Sequence, residues 1–273
     1  MISTFVNCEF CNFQFYSGDG TDQSLQIEKY EHLINHSEFF DKIKNNLKEF
    51  PNIAKYVRSK TKGALNNKRN THQFFGIIYN YQNQQYLSKL SRLNYWLGEY
   101  GNLFAHKHKG IINRKLSADF FSFFSELELF NTLKKLNLNV EILDGSNELG
   151  VDFVVPDLNI SFEVKTPLEI KNNLGIFISS KETQKQIINR KKAHEKEILV
   201  LVIDSQYAYH EFPIRLGDWV ERKLINSYSN IFWDCCITFN SFHRKSDIQI
   251  IPNANLSKQL TFILNKVKSN IIS

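Results

Sequence analysis

The sequence predicts a mixed α/β domain in its second half, preceded by a mainly helical N-terminal region. Three observations carry that prediction. From about residue 23 to residue 106, apolar residues recur at spacings of three and four, as Phe74/Phe75, Ile77/Ile78, Tyr81 and then Leu90, Leu93 and Leu97 do; this is the period of a helix face. From about Leu116 short β-rich runs alternate with helical ones. The run 198–203 is apolar throughout, which is the character of a strand covered on both faces.

Pro51, following Phe50, breaks the first half into at least two helices. In the second half, 122–136 reads as a helix with Leu127, Phe130, Leu133 and Leu136 on one stripe. Short β-rich runs follow at 140–143, 151–155 and 160–164, separated by Asp144-Gly145-Ser146 and by Pro156-Asp157-Leu158-Asn159. A fourth run spans 175–178. A basic helix over 181–194 leads into the apolar run, and further elements are expected at 207–212, 232–239 and 248–251, with a closing helix at 257–268. The order helix, strand, strand, strand, helix, strand describes a sheet sandwiched by helices. The expected organisation is a small element over 1–37, a basic helical region over 38–115 and an α/β domain over 116–273.

Composition sets the outer limits. The 273 residues are 42% hydrophobic and 23% charged, which excludes wholesale disorder, and 11 glycines with 5 prolines exclude a low-complexity chain. No run approaches the ~18 apolar residues of a membrane span. The first residues lack the basic and apolar segments of a secretory signal, and 4 cysteines do not make a disulfide framework, so the reducing cytosol is the expected compartment.

The formal net charge is +6, unevenly spread. Between Asp41 and Asn70 stand nine basic residues, among them Arg58, Lys60, Lys62, Lys68 and Arg69, against two acidic ones. Between Lys181 and Lys196 there are six, including Lys185 and Lys191, against Glu182 and Glu195. Such clusters suit a polyanion, because phosphate contacts supply most nonspecific nucleic-acid affinity. A solvated helix face in a lysine-rich protein has the same composition.

The sharpest chemical signal lies in the short strands. Asp152 opens one of them, and Glu163-Val164-Lys165 lies in the next. Alternation along a strand puts Glu163 and Lys165 on one face, and a hairpin through 156–159 lets Asp152 approach it. Two carboxylates and an ammonium would then meet among Val, Phe and Ile, which is costly unless they pair or bind something. A divalent cation meets that requirement, since hard cations such as Mg²⁺ favour oxygen ligands. The bland alternative is a surface strand with both side chains facing water.

These residues and their order resemble the core of the PD-(D/E)XK nuclease superfamily over about residues 116–251. That family has a helix carrying a Glu, a strand with an Asp, a strand with (D/E)-X-K, then a helix and another strand. Asp152 and Glu163-Val164-Lys165 match the motif, and Glu126 matches the helix Glu, with Glu128 as a weaker candidate. Val151 replaces the proline before the Asp, in a Gly-Val-Asp form also common in the family. The resemblance implies a restriction-endonuclease-like fold and a metal-dependent endonuclease. Asp152, Glu163 and the Val164 carbonyl would bind Mg²⁺ or Mn²⁺, with Lys165 and Glu126 completing the catalytic set. Gln184, Gln186 and Lys191 fall on the helix that often faces the phosphodiester. The implied substrate is nucleic acid, DNA above RNA, and a homodimer is the arrangement of many double-strand cutters. Restriction or another defence role follows by analogy. A non-catalytic nucleic-acid-binding protein with a degenerate nuclease fold is the alternative from another class.

A second constellation lies near the N-terminus. Cys8-Glu9-Phe10-Cys11 is followed after twenty residues by His32-Leu33-Ile34-Asn35-His36. Two cysteines on a knuckle and two histidines one helical turn apart could close a tetrahedral Zn²⁺ site, although the gap exceeds the ~12–15 residues usual in a ββα finger. The alternative has the cysteines as small apolar residues of a strand and the histidines exposed on a helix. His106 and His108, beside Lys107 and Lys109, read as a basic helix end. Cys235 and Cys236 read as core residues of a strand. There is no P-loop, dinucleotide-binding glycine fingerprint or Gly-x-Ser-x-Gly elbow.

Overall fold

The computed structural model describes residues 4–11, 13–17, 32–57, 71–107, 112, 115–116, 120–143, 151–166, 181–204, 234–239, 249–252 and 258–272. The runs expected at 175–178 and 207–212 lie outside them. The chain divides into two compact units, Met1–Phe120 and Phe121–Ser273.

The first unit opens with a two-stranded antiparallel hairpin, β1 (Thr4–Asn7) and β2 (Gln14–Ser17). Among the described residues follow the helices α1 (Ser37–Leu47), α2 (Pro51–Tyr56), α3 (Thr71–Tyr79) and α4 (Gln84–Lys107). Phe39, Ile43 and Leu47 recur every four residues along α1 and are buried, as a helix face turned to a core must be. Pro51 begins α2, where its missing N–H and fixed φ are assets. The N-cap Phe50 has no side chain able to bond the first turn. Asn94 of α4 performs that task from across the unit. Its Oδ1 accepts from the Asn52 N–H at 2.9 Å and from the Ile53 N–H at 3.3 Å. Gly98 and Gly101 of α4 leave room there, since a Cβ on Gly101 would meet the Tyr56 ring carbons at 2.8 Å.

The second unit is a six-stranded mixed sheet with helices. Its order is β3 (Glu141–Ile142), β4 (Phe153–Val155), β5 (Ile160–Lys165), β6 (Ile198–Asp204), β7 (Cys235–Phe239), β8 (Gln249–Pro252). The β5–β6 and β6–β7 pairs are parallel, and the others antiparallel. Its helices among the described residues are α5 (Phe120–Lys135), α6 (Lys181–Ala193) and α7 (Lys258–Ile272). Asn137, at φ 57°, ends α5 in the left-handed conformation that asparagine tolerates, and the Leu138 N–H returns to the Leu133 carbonyl at 3.2 Å. Asn159, at φ 55°, makes the turn between β4 and β5 in the same way.

Alternation along β5 sorts the sheet into two faces. Phe162 stands opposite Phe153, whose ring packs on Phe130 of α5 with centroids 5.7 Å apart. Ser161 points to the other face, where its Oγ accepts from Arg190 Nη2 of α6 at 2.9 Å. Helices α5 and α6 therefore cover opposite faces, so β5 and β6 are almost wholly buried, and β6 reads as a near-continuous apolar run. Cys235 and Cys236 lie in β7, both buried, and burial pushes the Cys235 thiol up to about 12.

Candidate functional site

The hairpin β4–β5 builds the acidic site. The regular pairing of β4 with β5 ends at Phe153 opposite Phe162, and Asp152, just before it, is bonded to the two residues that flank Glu163. The Asp152 N–H donates to the Phe162 carbonyl at 2.9 Å, and its carbonyl accepts from the Leu143 N–H at 2.9 Å, so the residue is held by its backbone on both sides. Its side chain turns inward, where Oδ2 accepts from the Val164 N–H at 2.7 Å. Val164 is thus already tied to Asp152 through its amide.

Glu163 is 7% exposed, and its Oε1 is ion-paired with Lys165 Nζ, as two residues on one face of a strand allow. The surface-strand alternative does not hold for Glu163. Burial pushes its carboxyl up to about 8, the Asp152 charge adds to the rise, Lys165 opposes it, and Glu126 raises it a little further. For Lys165 burial works against the charged form, but the combined pull of Glu163, Asp152 and Glu126 is larger and raises its pKa above the usual lysine range. Lys165 is therefore an ammonium at neutral pH, a cation among three carboxyl groups.

Glu126 contributes from α5, with Ser122 Oγ 3.5 Å from its Oε1. Glu128 is also buried, but two residues along a helix turns a side chain to nearly the opposite direction. Of the two, Glu126 is the one whose field reaches Glu163 and Lys165.

A polar group that the sequence did not mark lies at the carboxyl ends of the parallel strands. Asp204, fully buried at the end of β6, has its Oδ2 2.6 Å from Ser125 Oγ of α5. Thr166 Oγ1, just past β5, donates to the same Ser125 oxygen at 3.2 Å. This chain ties α5, and with it Glu126, to the end of the strand that carries Glu163 and Lys165.

The basic residues divide. Arg58, Lys60, Lys62, Lys68 and Arg69 lie outside the described residues, as do the side chains of Gln184 and Gln186. Lys185 is exposed on α6. Lys191 is half-buried and already paired, with Nζ 2.8 Å from Asp234 Oδ1. Arg190, counted in the basic cluster, is 3% exposed and forks onto Glu197, with Nε 2.5 Å from Oε2 and Nη2 2.6 Å from Oε1. Ser161 Oγ donates to the same carboxylate at 2.5 Å. The basic appearance of this helix is thus in part a buried structural network, which sequence spacing cannot distinguish from a solvated face.

Cys8, Cys11, His32 and His36 do come together. They are the one group of three or more His, Cys, Asp or Glu among the described residues whose ligand atoms gather, all within 4.8 Å of one another. The gap of twenty residues did not prevent it, and Cys8 and His36 are not merely a strand core and an exposed helix face.

No family model matches this chain, and neither a curated protein nor a solved structure does. Among the described residues no helix is long and apolar enough to cross a membrane.

Proposed function

We propose that the chain is a restriction-endonuclease-like, metal-dependent endonuclease that hydrolyses phosphodiester bonds of nucleic acid, DNA before RNA, in restriction or another defence role. The observation that supports this most directly is the Asp152 carboxylate bonded to the Val164 N–H beside Glu163, with Glu163 buried and ion-paired to Lys165. Three carboxyl groups around one ammonium in an otherwise apolar sheet cannot all ionise without cost, and burial, with the Asp152 charge beside it, raises the Glu163 pKa to about 8. A hard divalent cation with oxygen ligands relieves that cost, so the donor set fits the group.

Asp152, Glu163 and the Val164 carbonyl would hold Mg²⁺ or Mn²⁺. Bound there, the cation supplies Lewis-acid polarisation of the phosphate and a lowered pKa for water. The chain's own groups do the rest. Lys165, fixed by Glu163, orients the attacking water and offsets charge gathering on the phosphoryl oxygens. Water oxygen bonds to phosphorus as the bond to the leaving sugar oxygen breaks, and a proton passes to that oxygen. No covalent enzyme intermediate is required. Glu126 supports the site through its field, and Lys185 offers exposed charge to the polyanion.

The test is incubation of the purified chain with linear, circular and single-stranded DNA and with RNA, in Mg²⁺, in Mn²⁺ and with divalent cation omitted. Cleavage that needs the cation and is lost in Lys165→Ala and Asp152→Ala supports the reading, and the preferred substrate selects DNA or RNA. Binding without cleavage, equal in all three proteins, replaces it with the non-catalytic binding protein.

A further inference from the structure

The four donor atoms near the N-terminus approach one point from separate elements. Cys8 follows β1 and Cys11 lies on the turn towards β2, so both sulfurs come from one knuckle. His32 lies in a short helical turn and His36 immediately precedes α1. Cys11 Sγ is 3.2 Å from His32 Nε2, His32 Nε2 is 3.2 Å from His36 Nε2, and Cys8 Sγ is 4.0 Å from His36 Nε2. Around a tetrahedral zinc with Zn–S of about 2.3 Å and Zn–N of about 2.0–2.1 Å, neighbouring donors sit roughly 3.3–3.8 Å apart. These three edges lie within a few tenths of an ångström of that range, and all four donor atoms lie within 4.8 Å of one another.

The surroundings hold the donors in place. The Phe10 N–H reaches Cys8 Sγ at 3.4 Å, the kind of contact that steadies a thiolate ligand. Phe13 stacks on the His32 ring with centroids 4.4 Å apart and planes 20° apart, and Phe10 packs on His36 at 5.5 Å. Both imidazoles therefore present Nε2 to the same point. Lys42 of α1 bonds Glu9 in the knuckle at 3.1 Å, closing the hairpin onto the helix from outside. A hairpin with four residues in each strand is marginal by itself and needs such a staple.

We propose that Cys8, Cys11, His32 and His36 bind one structural Zn²⁺ that fastens the β1–β2 hairpin to the start of α1. Two thiolates and two imidazoles at tetrahedral spacing select zinc over Mg²⁺ or Ca²⁺. Four protein ligands leave no open position, so the ion holds structure and carries no chemistry. This site is separate in residues and in donor type from the carboxylate site, and it stands or falls independently of the nuclease reading.

The test is elemental analysis of the full-length chain, purified after growth with zinc and freed of loosely bound metal. The expected result is one zinc per chain, kept in Asp152→Ala and lost in the double variant Cys8→Ser/Cys11→Ser. Because that variant risks unfolding, Co²⁺ is also exchanged into the wild-type chain and into His36→Cys, which keeps four ligands. Both should show the visible bands of tetrahedral cobalt, with the thiolate-to-cobalt absorption stronger in His36→Cys. Iron in place of zinc, no zinc together with no tetrahedral cobalt spectrum, or zinc retained by the double variant would each overturn the proposal.

Discussion

Replacing Glu163 by glutamine isolates the cost of keeping a carboxylate inside this sheet. The side chain keeps its shape and loses only its ionisation. In the folded protein the Glu163 pKa is raised from its ordinary value of 4.5 to about 8, first by burial and then by Asp152. A raised carboxyl favours the protonated form on folding. Its contribution to stability is complete below about pH 4.5 and is lost as pH rises through 8. At about 1.4 kcal/mol per pH unit the full swing is roughly 3–5 kcal/mol, the Lys165 pairing being already contained in that pKa. For a domain of this size, that is a Tm change of roughly 6–20 °C.

Thermal denaturation of wild type and Glu163→Gln, followed by circular dichroism from pH 5 to 9 without added divalent cation, reads this directly. The two should melt together at pH 5, and the glutamine variant should be the more stable at pH 9. Other titrating groups cancel in the difference between the proteins. Added Mg²⁺ should raise the wild-type Tm at pH 9 and leave the variant unmoved. Curves that stay parallel across the whole range would refute the reasoning, since Glu163 would then ionise without penalty.

Four further outcomes follow from the structure. Arg190→Ala leaves Glu197 buried and uncompensated and should cost about 3–5 kcal/mol in urea unfolding; a double variant with Arg190→Met and Glu197→Leu should recover most of that loss. Asn94→Ala removes the cap on α2 and should cost about 1 kcal/mol, measurable as a lower urea midpoint with unchanged slope. Lys185→Ala should weaken DNA binding and reduce its salt dependence by about one ion. Lys191→Ala, by contrast, breaks an internal pair with Asp234 and should lower stability more than DNA affinity.

Much of the second unit was legible because period and length agree there. The helix expected over 122–136 is Phe120–Lys135, and the apolar run 198–203 is the central parallel strand Ile198–Asp204. The hairpin was readable from Pro156 to Asn159, and it brought Asp152 beside Glu163. What stayed hidden were partners distant in sequence. Nothing near Arg190 announces that Glu197 and Ser161 will enclose it, and nothing near Phe50 announces a cap from Asn94. The Cys/His gap was a weak objection on physical grounds. Lengthening a closing loop from about 13 to 20 residues costs only about 0.4 kcal/mol, whereas the convergence of four donor atoms is a matter of where each element ends.

The change of strand sense at β5 also dictates an order of events during synthesis. Its antiparallel partner, β4, lies just upstream, so the hairpin bearing Asp152 and Glu163 can close as soon as Lys165 has left the ribosome. The parallel partner runs from Ile198 and is not yet made. Until it emerges, one edge of β5 presents Ile160, Phe162 and Val164 with unpaired backbone groups, an open template for a neighbouring chain. The two carboxylates are brought together before the strand that shuts them from water exists. Their mutual repulsion is therefore met in solvent, where it is small, and the larger cost of burial falls on the later step in which β6 docks.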